Sequence, residues 1–157
     1  MTAKNPAQAL DNQLCFTVYS MAHAFNRAYR TILAPFDLTY PQYLVLIVLW
    51  AEDGLSVREI GAKLFLDSGT LTPLLKRLEA QGYVRRARDK ADERQVRISL
   101  TDEGRALQER ASGVPQEIGC TLGMAGDEYR ALLGQLADLR GRLQAYEPQA
   151  IQEDEPG

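Results

Sequence analysis

Two short stretches constrain the fold of this chain more than any other feature. "YVRRARDK" (83–90) and "QVRISL" (95–100) alternate apolar and polar residues at period two. That alternation is the mark of half-buried strands. The polar "ADER" (91–94) joins them as a hairpin. On both sides of this hairpin the spacing is helical.

Leu10, Leu14, Val18, Met21, Ala22, Phe25, Tyr29, Ile32 and Leu33 recur at helical intervals and predict a helix over about 7–34. Pro35 ends it, because proline cannot continue the hydrogen-bond ladder. "TYPQ" (39–42) fits a capping box opening a helix to about Glu52. "SVRE" (56–59) is a second capping box, for a short helix ending near Leu64. After "FLDSG" (65–69), where Asp67 and Ser68 are capping candidates, "TLTPLLKRLEAQ" predicts a helix to Gln81, closed by Gly82. Beyond the hairpin, "TDEG" (101–104) starts a helix expected to reach about Met124, weakened in its middle by Gly113 and Pro115. A last helix is expected from Asp127 to about Tyr146, and the acidic tail 147–157 is expected to be disordered.

This element order predicts a mainly α chain: a winged helix–turn–helix with additional helices at both ends. A length of 157 residues fits one domain, and no internal repeat is visible. The DNA-binding core is expected over 38–101, flanked by helical segments 7–34 and 102–146. The longest apolar run, "YLVLIVLW" (43–50), is far short of the roughly 18 residues of a membrane span and reads as a buried helix. "MTAKNPAQAL" lacks a signal peptide's apolar stretch. The expectation is therefore a cytoplasmic protein without a membrane partner, its two cysteines reduced by default.

The net charge of −3 argues at first against a nucleic-acid partner, but its distribution argues for one. Residues 56–101 carry ten basic and six acidic residues, or +4, leaving −7 for the rest of the chain. A local patch is what phosphate binding requires. The second helix of a helix–turn–helix enters the major groove, and here it offers Ser68, Thr70, Thr72, Lys76 and Arg77. Hydroxyls at its start suit bases or phosphates, and the two cations suit guanine edges or phosphate oxygens. Pro73 is expected to distort that helix locally without breaking it. The hairpin carries Lys90, Asp92, Glu93 and Arg94 near its tip. Arg94 suits the minor groove, with Asp92 expected to hold its guanidinium. A charge run is more commonly just a solvated face. Here patch, motif order and hairpin agree on DNA.

"LDSGTLTPLLKRLEAQGYVRR" followed by "DERQVRISLT" resembles the MarR family of bacterial transcriptional regulators over roughly residues 10–146, including an Asp-x-Arg wing at Asp92 and Arg94. The resemblance implies a homodimer joined through its N- and C-terminal helices. It also implies binding to a pseudo-palindromic double-stranded operator, usually as a repressor. "LDNQLCFTVYS" (10–20) resembles the organic-hydroperoxide-sensing branch of that family (OhrR type), in which the cysteine of this motif is reactive. The same resemblance assigns Tyr29 and Tyr40 to the Cys15 sulfur, as donors from the other subunit, and Cys120 of the partner chain as the resolving thiol. It makes an organic hydroperoxide the inducer.

Spacing bears independently on the cross-subunit part. Tyr29 lies 14 residues beyond Cys15, roughly 21 Å along one straight helix at 1.5 Å per residue. The two cannot touch within that helix, so only a partner chain can bring them together; Tyr40, past the Pro35 turn, is open to either chain. Tyr19, one turn from Cys15, is a candidate lining residue. The plain alternative makes both cysteines buried filler, since cysteine behaves as a small hydrophobe. His23, the single histidine, reads as structural or surface, and Phe25, Phe36 and Trp50 as core or interface. No phosphate loop, catalytic carboxylate pair, triad or metal-ligand spacing stands out, so no cofactor, metal or enzyme activity is expected. Three readings remain: a repressor switched by Cys15 oxidation, a repressor released by a small phenolic ligand, and a thiol peroxidase.

Overall fold

The computed structural model describes residues 9–89, 92 and 94–146, apart from the side chain of Asp11. The chain divides into two compact units, residues 1–118 and 119–157, and the first contains the winged helix.

Helix α1 spans Leu14–Leu33, starting well after the residue 7 that periodicity suggests. Leu10–Asn12 instead form a single 3-10 turn, and Gln13 is extended at φ −98° and ψ 112°. Asn12 supplies a reason: asparagine favours turns over helix interiors, because its short polar side chain competes for backbone groups. At the other end Ala34–Phe36 make a second 3-10 turn around Pro35, closed by Asp37 in the left-handed region at φ 52°. Helix α2 (Tyr40–Ala51) opens on the expected capping box, the Thr39 N–H donating to Gln42 Oε1 at 2.8 Å. Tyr43, Val45, Leu46 and Leu49 bury it in the middle of the unit.

Helix α3 (Val57–Leu64) also opens on its capping box, with the Ser56 N–H donating to Glu59 Oε2 at 2.7 Å and the Glu59 N–H to Ser56 Oγ at 3.2 Å. Helix α4 (Ser68–Ala80) begins two residues before "TLTPLL", because the Asp67 carboxylate accepts the Thr70 N–H at 2.8 Å and so caps it. Pro73 lies inside this helix without interrupting it. At its far end Gly82, at φ 81°, allows the Tyr83 N–H to donate to Leu78 O and its own N–H to Glu79 O, both at 3.0 Å. That pair of bonds is a Schellman ending, and it turns the chain directly into the hairpin.

The hairpin pairs β2 (Val84–Arg88) with β3 (Val96–Leu100), antiparallel from Val84 opposite Leu100 to Arg88 opposite Val96. A two-residue strand β1 (Leu55–Ser56) adds to the free edge of β3, giving the order β1-β3-β2. Two residues carry no readable periodicity, which is why β1 was not foreseen. Leu71, Leu75 and Leu78 from one face of α4 join Leu46, Leu49, Ile60, Val84 and Ile98 in one core. The opposite face of α4 is left to solvent.

The helix expected over 101–124 is two helices, α5 (Asp102–Arg110) and α6 (Val114–Leu122). Pro115 has no N–H to extend α5, but it fits the first turn of a new helix, so the chain breaks at Gly113. Helix α7 (Gly126–Gln144) follows in the second unit. The expected disordered tail falls outside the described residues. No single helix among the described residues is long and apolar enough to cross a membrane.

The start of α5 is pressed onto the base of the wing. Thr101 Oγ1 accepts the Gly104 N–H at 3.0 Å and donates to Gly82 O at 2.6 Å. The Trp50 indole N–H donates to Gly104 O at 2.9 Å. A Cβ at position 104 would stand 2.1 Å from Tyr83 O, so only glycine fits. Gly104→Ala is expected to lower the unfolding free energy by about 1–3 kcal/mol in urea titrations. Gly113→Ala, whose Cβ would meet nothing within 4 Å, should stay close to wild type.

Candidate functional site

The solvent face of α4 presents Ser68, Thr70, Lys76 and Arg77, all exposed, with Thr72 half-buried. The hydroxyls are not equivalent. Thr70 Oγ1 donates to Asp67 Oδ2 at 3.1 Å and Thr72 Oγ1 to Ser68 O at 2.7 Å. Both threonines therefore face outward as acceptors, suited to base amino groups and not to phosphate oxygens. Ser68 Oγ makes no hydrogen bond among the described residues and keeps its donor.

At the wing, Asp92 does not hold the Arg94 guanidinium as expected. Its Oδ1 accepts the Arg94 backbone N–H at 3.1 Å, and its Oδ2 accepts Gln95 Nε2 at 3.1 Å. A short carboxylate reaches the N–H two residues on more readily than the end of a long arginine, and so it shapes the turn. The Arg94 side chain is left exposed at the tip. Lys90 and Glu93 lie outside the described residues.

Ion pairing sorts the basic patch. Lys63 pairs with Glu52 at 3.0 Å, Arg86 with Glu79 at 3.7 Å, and Arg97 with Asp89 while also donating to Gly54 O at 2.7 Å. Arg58, Lys76, Arg77, Arg85, Arg88 and Arg94 are exposed or project outward with no intrachain ion pair among the described residues. Between α3, the start of α4 and the wing lies a cleft of about 460 Å³ lined by Arg58, Ser68, Thr72, Arg86, Asp92 and Arg94. Arg58 and Arg86 count toward the sequence's basic patch, yet spacing alone does not place them here. Their only sequence signal is that capping box and strand alternation turn both toward one side.

Around Cys15 the geometry is that of a helix start. Cys15 is the second residue of α1 and is exposed in the single chain. Leu10, Leu14, Val18 and Tyr19 are exposed beside it, at 57%, 60%, 40% and 62%. The Tyr19 ring lies edge-on to His23, centroids 4.4 Å apart, and 6.5 Å from Phe16. Cys15 and Tyr29 share the uninterrupted α1, so their separation of roughly 21 Å stands. Tyr29 stacks on Tyr40 of its own chain, centroids 4.0 Å apart and planes 19° apart. Tyr43 continues the cluster at 6.2 Å from Tyr29, and Trp50 lies 5.9 Å from Tyr43. Burial, with Tyr40 adding to it, pushes the Tyr43 phenol above its ordinary value. Cys120 is exposed on the part of α6 that belongs to the second unit. Phe25, Phe36 and Trp50 pack against the core. Among the described residues no cluster of His, Cys, Asp or Glu could hold a metal.

A capped helix with one polar face, a short antiparallel wing and a shared run of unpaired cations define a winged-helix transcriptional regulator. Comparison with known proteins narrows the class. The SarA/Rot transcriptional-regulator family matches residues 27–110. The transcriptional regulator TtmR of Methylorubrum extorquens (strain PA1) is 63% identical over 144 residues, 92% of this chain and 74% of that protein. The organic hydroperoxide resistance transcriptional regulator of Bacillus subtilis (strain 168) is 43% identical over 130 residues, 83% of this chain and 88% of that one. AbfR in its reduced form bound to DNA superposes with a TM-score of 0.78 at 39% identity, covering 90% of this chain and 97% of that one. Disulfide-formed AbfR superposes with a TM-score of 0.61 at 41% identity over 83% and 91% of the two chains. The chain belongs to the MarR-like SarA/Rot family of winged-helix transcriptional regulators, a group that includes organic hydroperoxide resistance regulators. These relatives are transcriptional regulators.

Two caps at this surface make folding acid-sensitive. Hydrogen bonds from the Thr70 backbone and side chain hold the Asp67 carboxyl below its ordinary 3.8, and those from Ser56 hold Glu59 below 4.5. Depressed folded values mean stability that is present above the ordinary carboxylate range and lost as pH falls through the lowered values. Asp67→Asn combined with Glu59→Gln keeps the capping oxygens. The pair is expected to flatten the decline of the urea midpoint below about pH 4.5 relative to wild type.

Proposed function

We propose that this regulator is a homodimeric repressor whose release from operator DNA is triggered by oxidation of Cys15 with an organic hydroperoxide. One observation carries the reading: Tyr29 and Tyr40 are stacked as one unit, on one chain, at the far end of the helix that begins with Cys15. If the pair serves the sulfur, both rings come from the same partner subunit. Exposed Leu10, Leu14 and Val18 in the first unit, and Leu132, Leu133 and Leu143 on α7 in the second, support an interface through the terminal helices.

The thiolate attacks the outer oxygen of the hydroperoxide, the O–O bond breaks, and the alkoxide leaves, taking a proton from water to become the alcohol. The sulfenic acid that remains is attacked by the thiol of Cys120 from the other chain, which expels water and forms a disulfide. Tyrosine hydroxyls as donors favour the thiolate before attack. In the reduced state Ser68, Thr70, Thr72, Lys76 and Arg77 face the major groove, and Asp92 and Arg94 lie at the wing. Arg58 and Arg86 join them on the cleft wall. Two recognition helices must fit successive major grooves about 34 Å apart, so a modest change in dimer geometry ends bivalent binding.

A second reading, release by a small phenolic ligand with Cys15 uninvolved, has the arginine-lined cleft in its favour. One series of binding titrations separates the two, using a duplex selected from random sequence by the reduced protein. Peroxide is expected to weaken wild-type binding by about tenfold or more and to leave Cys15→Ser unchanged. Release that persists in Cys15→Ser sinks the redox reading. Cys120→Ser is expected to form no interchain disulfide on non-reducing gels.

The cross-subunit arrangement has its own test by complementation. Cys15→Ser and Tyr29→Phe homodimers each lack a complete pocket, while a mixed dimer regains one of two. Mixing the two variants is expected to restore part of the peroxide response. An unchanged response after subunit exchange would place the tyrosine and the sulfur on the same chain or apart.

A further inference from the structure

The turn that carries the tyrosine pair is tied by polar side chains to the end of the recognition helix. Gln42 is 3% exposed, a buried polar residue with a long side chain. Its Oε1 accepts the Thr39 N–H at 2.8 Å and the Thr39 hydroxyl at 3.1 Å, so the amide oxygen is fully used within the cap. Its Nε2 then donates to Gln81 Oε1 at 3.2 Å. Gln81 is the C-cap of α4, and its own Nε2 donates to Asp37 O at 2.6 Å. One residue pair further on, the Tyr83 hydroxyl donates to Phe36 O at 3.4 Å.

We infer that Gln42 and Gln81 are positioning residues that convey the state of the Tyr29–Tyr40 pair to the recognition helix, an inference that rests on the redox reading above. The chain path supports it. Tyr29 stands on α1, Tyr40 is the first residue of α2, and the only segment between those helices is 34–39, where the bridge lands. Asp37 holds the left-handed conformation at φ 52°, so this turn has one sharp geometry and does not yield residue by residue. A shift of the tyrosines moves the turn, and the turn holds α4 by its C-terminal end through the Gln81 amide, which donates to Asp37 O and accepts from Gln42 Nε2. The Leu71, Leu75 and Leu78 face resists deformation of the helix itself, so the pull is delivered as a tilt of the whole of α4. An apolar contact in place of the bridge would let the turn slide; a hydrogen-bonded amide fixes direction as well as distance.

Gln81→Met removes both arms of the bridge at nearly constant volume, and Gln81→Glu keeps the acceptor for Gln42 while losing the donor to Asp37. Three quantities are measured for each: operator affinity of the reduced protein, the rate of Cys15 oxidation by mass spectrometry, and operator affinity after oxidation. Wild type is expected to lose about tenfold or more in affinity on oxidation, and Gln81→Met less than about threefold, with oxidation rate and reduced affinity within about twofold of wild type. A residue with only a structural role would weaken reduced binding and leave the ratio intact. If Gln81→Met is released as fully as wild type, the bridge proposal is overturned and the redox reading stands. If wild type is oxidised at Cys15 without release, the redox reading fails and the bridge falls with it. Should Gln81→Met not bind in the reduced state, the same ratio is read from Gln81→Glu, and release equal to wild type there overturns the proposal.

Discussion

The hydrogen bond from Trp50 to Gly104 O crosses from the central helix to the first turn of α5, and the winged helix is organised around the junction it closes. Four segments meet there: the end of α2, the Gly82–Tyr83 turn after α4, the end of β3 and the start of α5. Gly104 lets α5 approach the Tyr83 carbonyl more closely than any side chain would permit. Thr101 serves both partners, capping α5 and bonding the Gly82 carbonyl. Asp53 adds a second fastening, accepting the Leu100 N–H at 2.8 Å and pairing with Arg105 at 2.6 Å. The recognition helix and wing therefore leave this junction as one body, and anything that turns the body turns both DNA-facing elements together.

The N-terminal helix is built on a different principle. Cys15 stands where α1 begins and Tyr29 near where it ends, so the helix that joins them is also the rod that keeps them apart. The tyrosine pair is assembled within one chain by stacking, whereas in the proposed switch its encounter with sulfur requires a second chain. In the proposed switch, recognition of peroxide and formation of the dimer are the same structural event.

The hairpin, both capping boxes and the Gly82 ending were legible because each is a local pattern with a local cause. Where the reading of the sequence went astray, two local signals competed. Leu10 keeps the helical register of Leu14 and Val18, and that periodicity hid the turn preference of Asn12. Gly113 and Pro115 were visible, but their combined effect is a break and not a weakness, because Pro115 suits the start of a helix better than its middle. Asp92 was assigned to the Arg94 guanidinium on charge alone, and the nearer backbone N–H won. Arg58 and Arg86 each sit in a local pattern, but their meeting at one cleft does not follow from it, and neither does the Gln42–Gln81 contact: the glutamines lie 39 residues apart, and only packing brings them together.

The internal ion pairs change what a nucleic acid would sense. Among the described residues of the basic patch, Lys63, Arg86 and Arg97 are paired with carboxylates of the same fold, while Arg58, Lys76, Arg77, Arg85, Arg88 and Arg94 have no intrachain ion pair and are free to displace counterions. Each phosphate so neutralised contributes about −0.9 to the slope of log K against log salt, which bounds the slope at roughly −5 per protomer from these side chains. A protein of net charge −3 thus behaves toward DNA as a polycation whose grip is set by ionic strength, while its acidic remainder discourages binding in any other orientation.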